Sequence, residues 1–407
     1  MTFKPSATLV VPRFWPARGG SELHSRELAQ ALIAAGHTVN VVCHSSTDEF
    51  SPELALTRQI SGKQQDGPCP VHRVCPTGLR RNVMGWLAER HATVRPLRPL
   101  FDFLLRKFSK RAIAHHARDR QLIHSIYNGL TSATEAALMA AREQDVPFIW
   151  SPLANTDLPE GQGWSSPRFC KLYQQADALI ALTQHEKDWL EAHGAPAERT
   201  FVCPMGPMVS APSSTAEFRN IHQLDDNPVV LFLGRHDEAK GYHLLLNSAR
   251  DLWLAHPDVQ LLFIGPQTEE SRKRFAAIKD PRITVIEDIS QADKNAALAA
   301  ADLLCVPSIR ESLGVVYLEA WHYHKPVVAL DIPVLRSVIA DGQDGVLCKA
   351  DGSDLALKVS NLLDNAAERR LLGAAGRQTL DKQYSWASIV QKHQEIYSFA
   401  LKHKEQA

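Results

Sequence analysis

Apolar residues recur along this chain in two alternating rhythms. Short runs without a charged residue, Ala7–Pro12, Thr38–Cys43, Leu122–Ser125, Pro147–Ser151, Ala178–Ala181 and Phe201–Pro204, read as strands covered on both faces. Between them lie stretches with helical spacing: Ser21–Ala35, with Leu28, Ala31, Leu32 and Ala35 on one face and Gly36 ending it, then Thr131–Arg142 and Gln184–His193. A strand, a helix and a strand in this order predict a right-handed parallel unit. The alternation lapses over Met205–Asn227, where Pro207, Pro212, Ser213 and Ser214 interrupt any period, and a linker is expected there. It then resumes with strands Val229–Leu233, Gln260–Ile264, Ile283–Ile286 and Leu303–Val306, separated by helices Tyr242–Ala255, Glu269–Ala277 and Gln291–Ala300 and followed by a helix over Gly314–His322. The pattern predicts an α/β chain of two doubly wound Rossmann-like domains, residues 1–210 and 211–384, facing each other across a cleft. From Tyr384 the chain reads as one amphipathic helix with Trp386, Ile389, Val390, Ile396 and Tyr397 as its apolar positions.

Composition narrows the class. A length of 407 residues suits two domains, and 44% hydrophobic with 22% charged residues is ordinary for globular proteins. The formal net charge is zero, so no overall basicity argues for a nucleic-acid partner. The N-terminal apolar run is too short for a signal peptide and no membrane-spanning run occurs, so a cytoplasmic protein is expected. Seven cysteines without C-x-x-C spacing read as reduced, buried thiols, and the eighteen histidines form no H-E-x-x-H pattern; no metal site is expected.

Candidate chemistry gathers where strands give way to helices, the edge at which open α/β sheets take ligands. In Pro307–Ala320, PSIRESLGVVYLEA, a Pro-Ser turn ends a strand, and Glu311 and Glu319 bracket the start of the next helix. Two arbitrary glutamates would be solvated surface residues. Here the backbone N–H groups of Leu313, Gly314 and Val315 are expected at a helix start, where an anion such as a diphosphate is favoured. Glu319 would then accept hydrogen bonds from ribose hydroxyls and Glu311 would face a sugar ring. After Val229–Leu233 come Arg235, able to fork onto phosphate oxygens, and Lys240, a mobile point charge. Gly19 and Gly20, before the first helix, would let backbone approach a phosphate; Glu22 there also suits a helix N-terminus.

These segments together resemble family 4 retaining glycosyltransferases, which have the GT-B fold. The resemblance rests on PSIRESLGVVYLEA, on Gly234, Arg235, Lys240 and Gly241 in a G-R-x-x-x-x-K-G pattern, and on the loop Gly19, Gly20, Ser21, Glu22. It implies a nucleoside diphosphate sugar as donor, UDP- or GDP-linked, bound by the second domain through Arg235, Lys240, Glu311, Leu313, Gly314, Val315 and Glu319, with Gly19 and Gly20 of the first domain touching the distal phosphate or the transferred sugar on closure. Glu311, Arg235 and Lys240 would carry catalysis without a cofactor, in keeping with the lack of a metal-clamping D-x-D motif. The first domain would bind a sugar or glycoconjugate acceptor for polysaccharide or glycoconjugate synthesis, domain closure would exclude water, and the helix 385–407 would cross back onto that domain. Many relatives carry a His in the loop after the strand Pro147–Ser151; here it reads SPLANTD, and Asn155 stands as its substitute. His124 has two readings, an acceptor contact or a satisfied core histidine. Between Arg80 and Arg120 eleven Lys or Arg face three acidic residues among aromatics. That segment reads either as a solvated face or as a contact with an anionic membrane surface or a phosphorylated or lipid-linked acceptor, which would bring the protein to the inner face of the cell membrane. The alternatives are a nucleotide-sugar-binding regulator that has lost transfer, a sugar-nucleotide epimerase, and a dinucleotide oxidoreductase, for which G-x-G-x-x-G is lacking.

Overall fold

The short apolar runs form the strands of two sheets in a computed structural model that describes residues 4–17, 19–47, 51–91, 93–94, 96–127 and 129–406. The chain divides into two units, Met1–Pro204 with Trp386–Ala407, and Met205–Ser385. In the first, β1 (Ala7–Arg13), β2 (Val39–Ser45), β3 (Gly62–Asp66), β4 (Cys69–Arg73), β5 (Leu122–Ile126), β6 (Phe148–Ser151), β7 (Ala178–Ala181) and β8 (Thr200–Val202) lie in the order β3-β4-β2-β1-β5-β6-β7-β8. All neighbours are parallel except β3 and β4, a hairpin with Asp66 opposite Cys69.

The second unit carries β9 (Val229–Leu233), β10 (Gln260–Ile264), β11 (Ile283–Ile286), β12 (Leu303–Val306), β13 (Val327–Leu330) and β14 (Val346–Cys348) in the order β11-β10-β9-β12-β13-β14, all parallel. Every residue of β9, β10, β12 and β13 is buried, as strands with helices on both faces require. The expected linker is largely built into this unit. Ser213 Oγ donates to Asp293 Oδ1 (2.7 Å), Asn295 Nδ2 donates to Ser210 Oγ (2.9 Å), and Ser214 caps the helix Thr215–Ile221.

The last helix, Trp386–Gln406, belongs to the first unit. Ile389, Val390, Ile396, Tyr397 and Ala400 join the core cluster that contains Leu9, Val11, Val41, Ile149 and Ile180 of its sheet. Polar groups are sealed beneath it. Tyr397 Oη and Ser151 Oγ each lie 2.9 Å from a different ring nitrogen of His124, and Cys203 Sγ lies 3.3 Å from His393 Nδ1. His24 stacks on Trp386 with centroids 6.0 Å apart. His124 is therefore the core histidine of its two readings: it is fully buried with both nitrogens engaged, and so meets no acceptor. The seven cysteines are free thiols, all buried but Cys170.

Burial holds this histidine cluster neutral. Desolvation, helped by the charge of His393, lowers His24 to about 3; desolvation lowers His393 to about 4 and holds His124 well below the ordinary value. An unfolded histidine titrates near 6.5, so the stabilisation is complete above that pH and is lost as pH falls toward the folded values. His24 alone should then account for about 2 kcal/mol of destabilisation between pH 7 and pH 4.5. Denaturant unfolding across this range should show that His24→Leu flattens the acid limb; an unchanged slope would remove His24 from the account.

Candidate functional site

The order of the second sheet sets β9 beside β12, yet the chain leaves β9 toward β10 on one side and β12 toward β13 on the other. Loops following such a pair diverge and open a crevice at the strand ends. The loop after β9 ends in a tight turn, Glu238–Lys240, capped by Asp237, whose Oδ1 accepts from Lys240 N at 3.0 Å. Gly241 follows in the left-handed region with φ 72°, and a Cβ there would stand 1.9 Å from the carbonyl oxygen of Pro307. That approach lets Ala239 O accept from Ile309 N at 2.9 Å and from Arg310 N at 3.3 Å, stitching the two loops together. Lys240 Nζ is thereby delivered to Glu311 Oε1 at 2.6 Å, across 71 residues of sequence.

The Glu311 side chain is only 7% exposed, and the Lys240 ammonium balances its charge. Three residues on, Gly314 turns the chain with φ 83° over the ring of Tyr317, whose phenol donates to Val306 O at 2.6 Å. Helix Val315–His322 starts there, and the N–H groups of Leu313, Gly314 and Val315 donate to no protein acceptor among the described residues. Within the helix Glu319 is 4% exposed and takes a hydrogen bond from Lys294 Nζ at 2.8 Å; the same ammonium reaches Met208 O at 3.2 Å. Arg235 stands at the other end of the first loop, 60% exposed and paired with Asp237 at 3.0 Å. The structure thus brings together Lys240, Glu311 and the helix start, and leaves Arg235 outside that contact. Lys294 was not legible in advance, since QADKNAALAA shows only a lysine on a polar helix face.

In the first unit, Gly19 and Gly20 open helix Gly20–Ala34. The Glu22 carboxylate is buried against Gly19, where a Cβ would stand 2.2 Å from its Oε2. It pairs with Arg13 and accepts from Ser21 Oγ at 2.8 Å, so Glu22 is a buried ion-pair member rather than a dipole partner alone. Asn155 is half-buried, and its Oδ1 accepts from Asp157 N at 3.1 Å, shaping its own loop. Buried Glu186, another residue unmarked in the sequence, ties that loop to the end of β7. Its carboxyl accepts from Ala154 N at 2.6 Å and from Leu182 N at 2.7 Å, and burial pushes its pKa up to about 7. Among the described residues no group of three or more His, Cys, Asp or Glu is arranged to hold a metal ion.

Comparison with known proteins agrees over both units. A family model described as Glycosyl transferases group 1 matches residues 214–379, and one described as Glycosyl transferase 4-like domain matches residues 19–206. The chain is 28% identical over 396 residues to a phosphatidyl-myo-inositol mannosyltransferase of Mycobacterium leprae, covering 96% of this chain and 95% of the relative. It is 26% identical over 414 residues to a glycogen synthase of Mycobacterium tuberculosis, covering 95% and 93%. Among solved structures, sucrose-phosphate synthase from Thermosynechococcus elongatus superposes with a TM-score of 0.72 at 21% identity, covering 97% of this chain and 98% of that one. HepE of Anabaena, in complex with UDP and glucose, superposes with a TM-score of 0.69 at 19% identity, covering 97% and 99%. These likenesses establish the GT-B architecture, two Rossmann-like domains with parallel sheets.

Two substitutions test the local geometry. Gly241→Ala should destabilise the second unit by at least about 1–2 kcal/mol from the left-handed backbone alone, and should part the loops and abolish nucleotide binding; calorimetric binding at wild-type strength would show that the stitch is dispensable. Lys294→Met, which strands a buried carboxylate, should destabilise by about 3 kcal/mol in urea, with much of that recovered in Lys294→Met/Glu319→Gln. Additive losses in the double variant would mean that the pair does not act as one.

Proposed function

We propose, from the premise that this chain belongs to the group 1 glycosyltransferases of the GT-B fold, that it moves a sugar from a nucleoside diphosphate donor to an acceptor hydroxyl in glycan or glycoconjugate synthesis, with retention of the anomeric configuration. The observation that carries this reading is the Lys240–Glu311 contact of 2.6 Å beside the undonated N–H groups of helix Val315–His322. The donor diphosphate accepts from those N–H groups and from the two remaining N–H bonds of the Lys240 ammonium, and Arg235 reaches it from the loop's other end. Glu319, held by Lys294, accepts from the ribose hydroxyls. Glu311 is already engaged by Lys240, so it orients the sugar hydroxyls and does not attack the anomeric carbon. The bond from that carbon to the phosphate oxygen breaks as the bond to the acceptor oxygen forms on the same face, and the acceptor proton passes to the departing phosphate oxygen. Charge growing on the leaving group is stabilised by fixed donors, which need no reorganisation. The UDP held by HepE and the mannosyl transfer named for the mycobacterial relative support a UDP- or GDP-sugar.

Thermal unfolding with UDP, GDP, ADP and dTDP in EDTA should single out one nucleotide, with a gain of about 2.7 kcal/mol at a hundred times its dissociation constant. Release of that nucleotide from its sugar should then require Lys240 and Glu311: Lys240→Ala and Glu311→Ala should each lower the rate at least about a hundredfold, Lys240→Ala with a lowered unfolding midpoint because it strands the buried Glu311 carboxylate, Glu311→Ala with a midpoint near that of the wild type because the lysine it leaves unpaired is partly exposed. Full activity in either variant would sink these assignments. Nucleotide binding without sugar transfer or donor hydrolysis would mark a regulator instead, and an inverted product by NMR would remove the same-face mechanism.

A further inference from the structure

The segment Arg80–Arg120 takes no part in this chemistry. It folds into helices Gly78–Arg90 and Leu97–Ala117 of the first unit, with Ala92 and Arg95 outside the described residues. Its inward positions are accounted for by a small core of Met84, Leu87, Phe101 and Leu105. Its outward positions are not. On the first helix Leu79, Val83 and Trp86, spaced i, i+4 and i+7, form an exposed apolar stripe, and on the second Leu100 and Phe103 are exposed at 48% and 53%. Between the helices runs a groove of about 620 Å³ lined by Val83, Leu104, Phe108 and Ala112, with Arg80, Lys107 and Arg111 also lining it. Exposed apolar side chains gathered along such a groove mark a contact surface.

The cations sort by position. Partly buried Arg98 pairs with Glu53 and Asp102, Arg106 with Glu135, and Lys110 with Glu143. Arg81 donates to the carbonyls of Thr57 and Arg58. Exposed Arg80, Lys107 and Arg111, beside the groove, have no carboxylate or hydrogen-bond partner among the described residues. Arg90 lies over the Trp86 ring at 5.0 Å. Matched charge thus serves the fold, while Arg80, Lys107 and Arg111 line the groove and Arg118 stands at the end of the second helix.

We propose that this face is a docking surface for a bilayer containing anionic phospholipid. Arg80, Lys107 and Arg111 meet lipid phosphates, Trp86, Leu100 and Phe103 enter the boundary of the acyl region, and the groove receives part of a chain. A second copy of the protein is disfavoured, because a two-fold contact would set the same unpaired cations against one another. A nucleic acid would leave the exposed aliphatic side chains of Leu79, Val83 and Leu100 without a role. Among the described residues no helix is long and apolar enough to cross a membrane, so the contact is with the surface.

The test is sedimentation of the full chain with phosphatidylcholine vesicles, with and without phosphatidylglycerol. The chain should pellet only when phosphatidylglycerol is present, with binding that weakens as salt rises and a blue shift in tryptophan emission. Arg80→Gln/Lys107→Gln/Arg111→Gln should lower partitioning on the order of a hundredfold, each basic side chain contributing about a fivefold factor. Trp86→Ser should remove the blue shift, and Phe103→Ser should weaken binding. All three variants should keep the wild-type unfolding midpoint, which separates lost docking from misfolding. Equal binding to both vesicle types, no binding to either, or full binding by the triple variant would overturn the proposal. So would a dimer in solution that Phe103→Ser dissolves.

Discussion

The crevice of the second unit depends on one close approach of backbone to backbone, the turn at Gly241 laid against the carbonyl of Pro307. Any side chain at that glycine would collide, and its left-handed conformation is one that other residues rarely adopt. Because the approach is made, the carbonyl of Ala239 can hold the N–H groups of Ile309 and Arg310. Two loops that follow separate strands then behave as a single surface. The buried carboxylate of Glu311 is tolerable only within that surface, since an unpaired charge at 7% exposure would cost several kcal/mol. The ammonium of Lys240 arrives through the same turn that creates the need for it.

How much of this was legible depended on whether a residue's role is set by its neighbours in sequence or by partners far away. Parallel strands covered on both faces are apolar at nearly every position, so β9, β10 and β12 stand out as runs with the expected limits, and edge strand β11, only partly buried, still shows as the short run ITVI. The hairpin β3–β4 does not. Four of the five residues of β3 are exposed, so GKQQD carries no alternation to mark it, although the Asp66-Gly67 step at its turn is the usual sign of one.

The same division runs through the site. Gly314, Glu311 and Lys240 could be named because strand ends and a helix start define what chemistry belongs there. Lys294 and Glu186 could not, because Glu319 lies 25 residues from the first and Ala154 lies 32 from the second, and only packing joins them. His124 kept two readings for the same reason: a polar residue near a strand end can face outward or be covered, and its cover, Tyr397, lies 273 residues downstream.

Charge is organised differently in the two units, and the difference bears on what each can recognise. Near the donor crevice Lys240 is matched by Glu311, Lys294 by Glu319 and Arg235 by Asp237. Three matched pairs create little long-range field, so the proposed diphosphate would meet directional donors there: the N–H groups at the helix start and the free protons of Lys240. Such contacts act at hydrogen-bond distance and discriminate by geometry. The outer face of helices Gly78–Arg90 and Leu97–Ala117 reverses this arrangement, leaving Arg80, Lys107 and Arg111 unmatched beside apolar side chains. Unmatched surface cations act over about a Debye length and discriminate by charge density. A chain with no net charge thus carries two arrangements of its cations, one matched and directional, the other unmatched and spread over a surface.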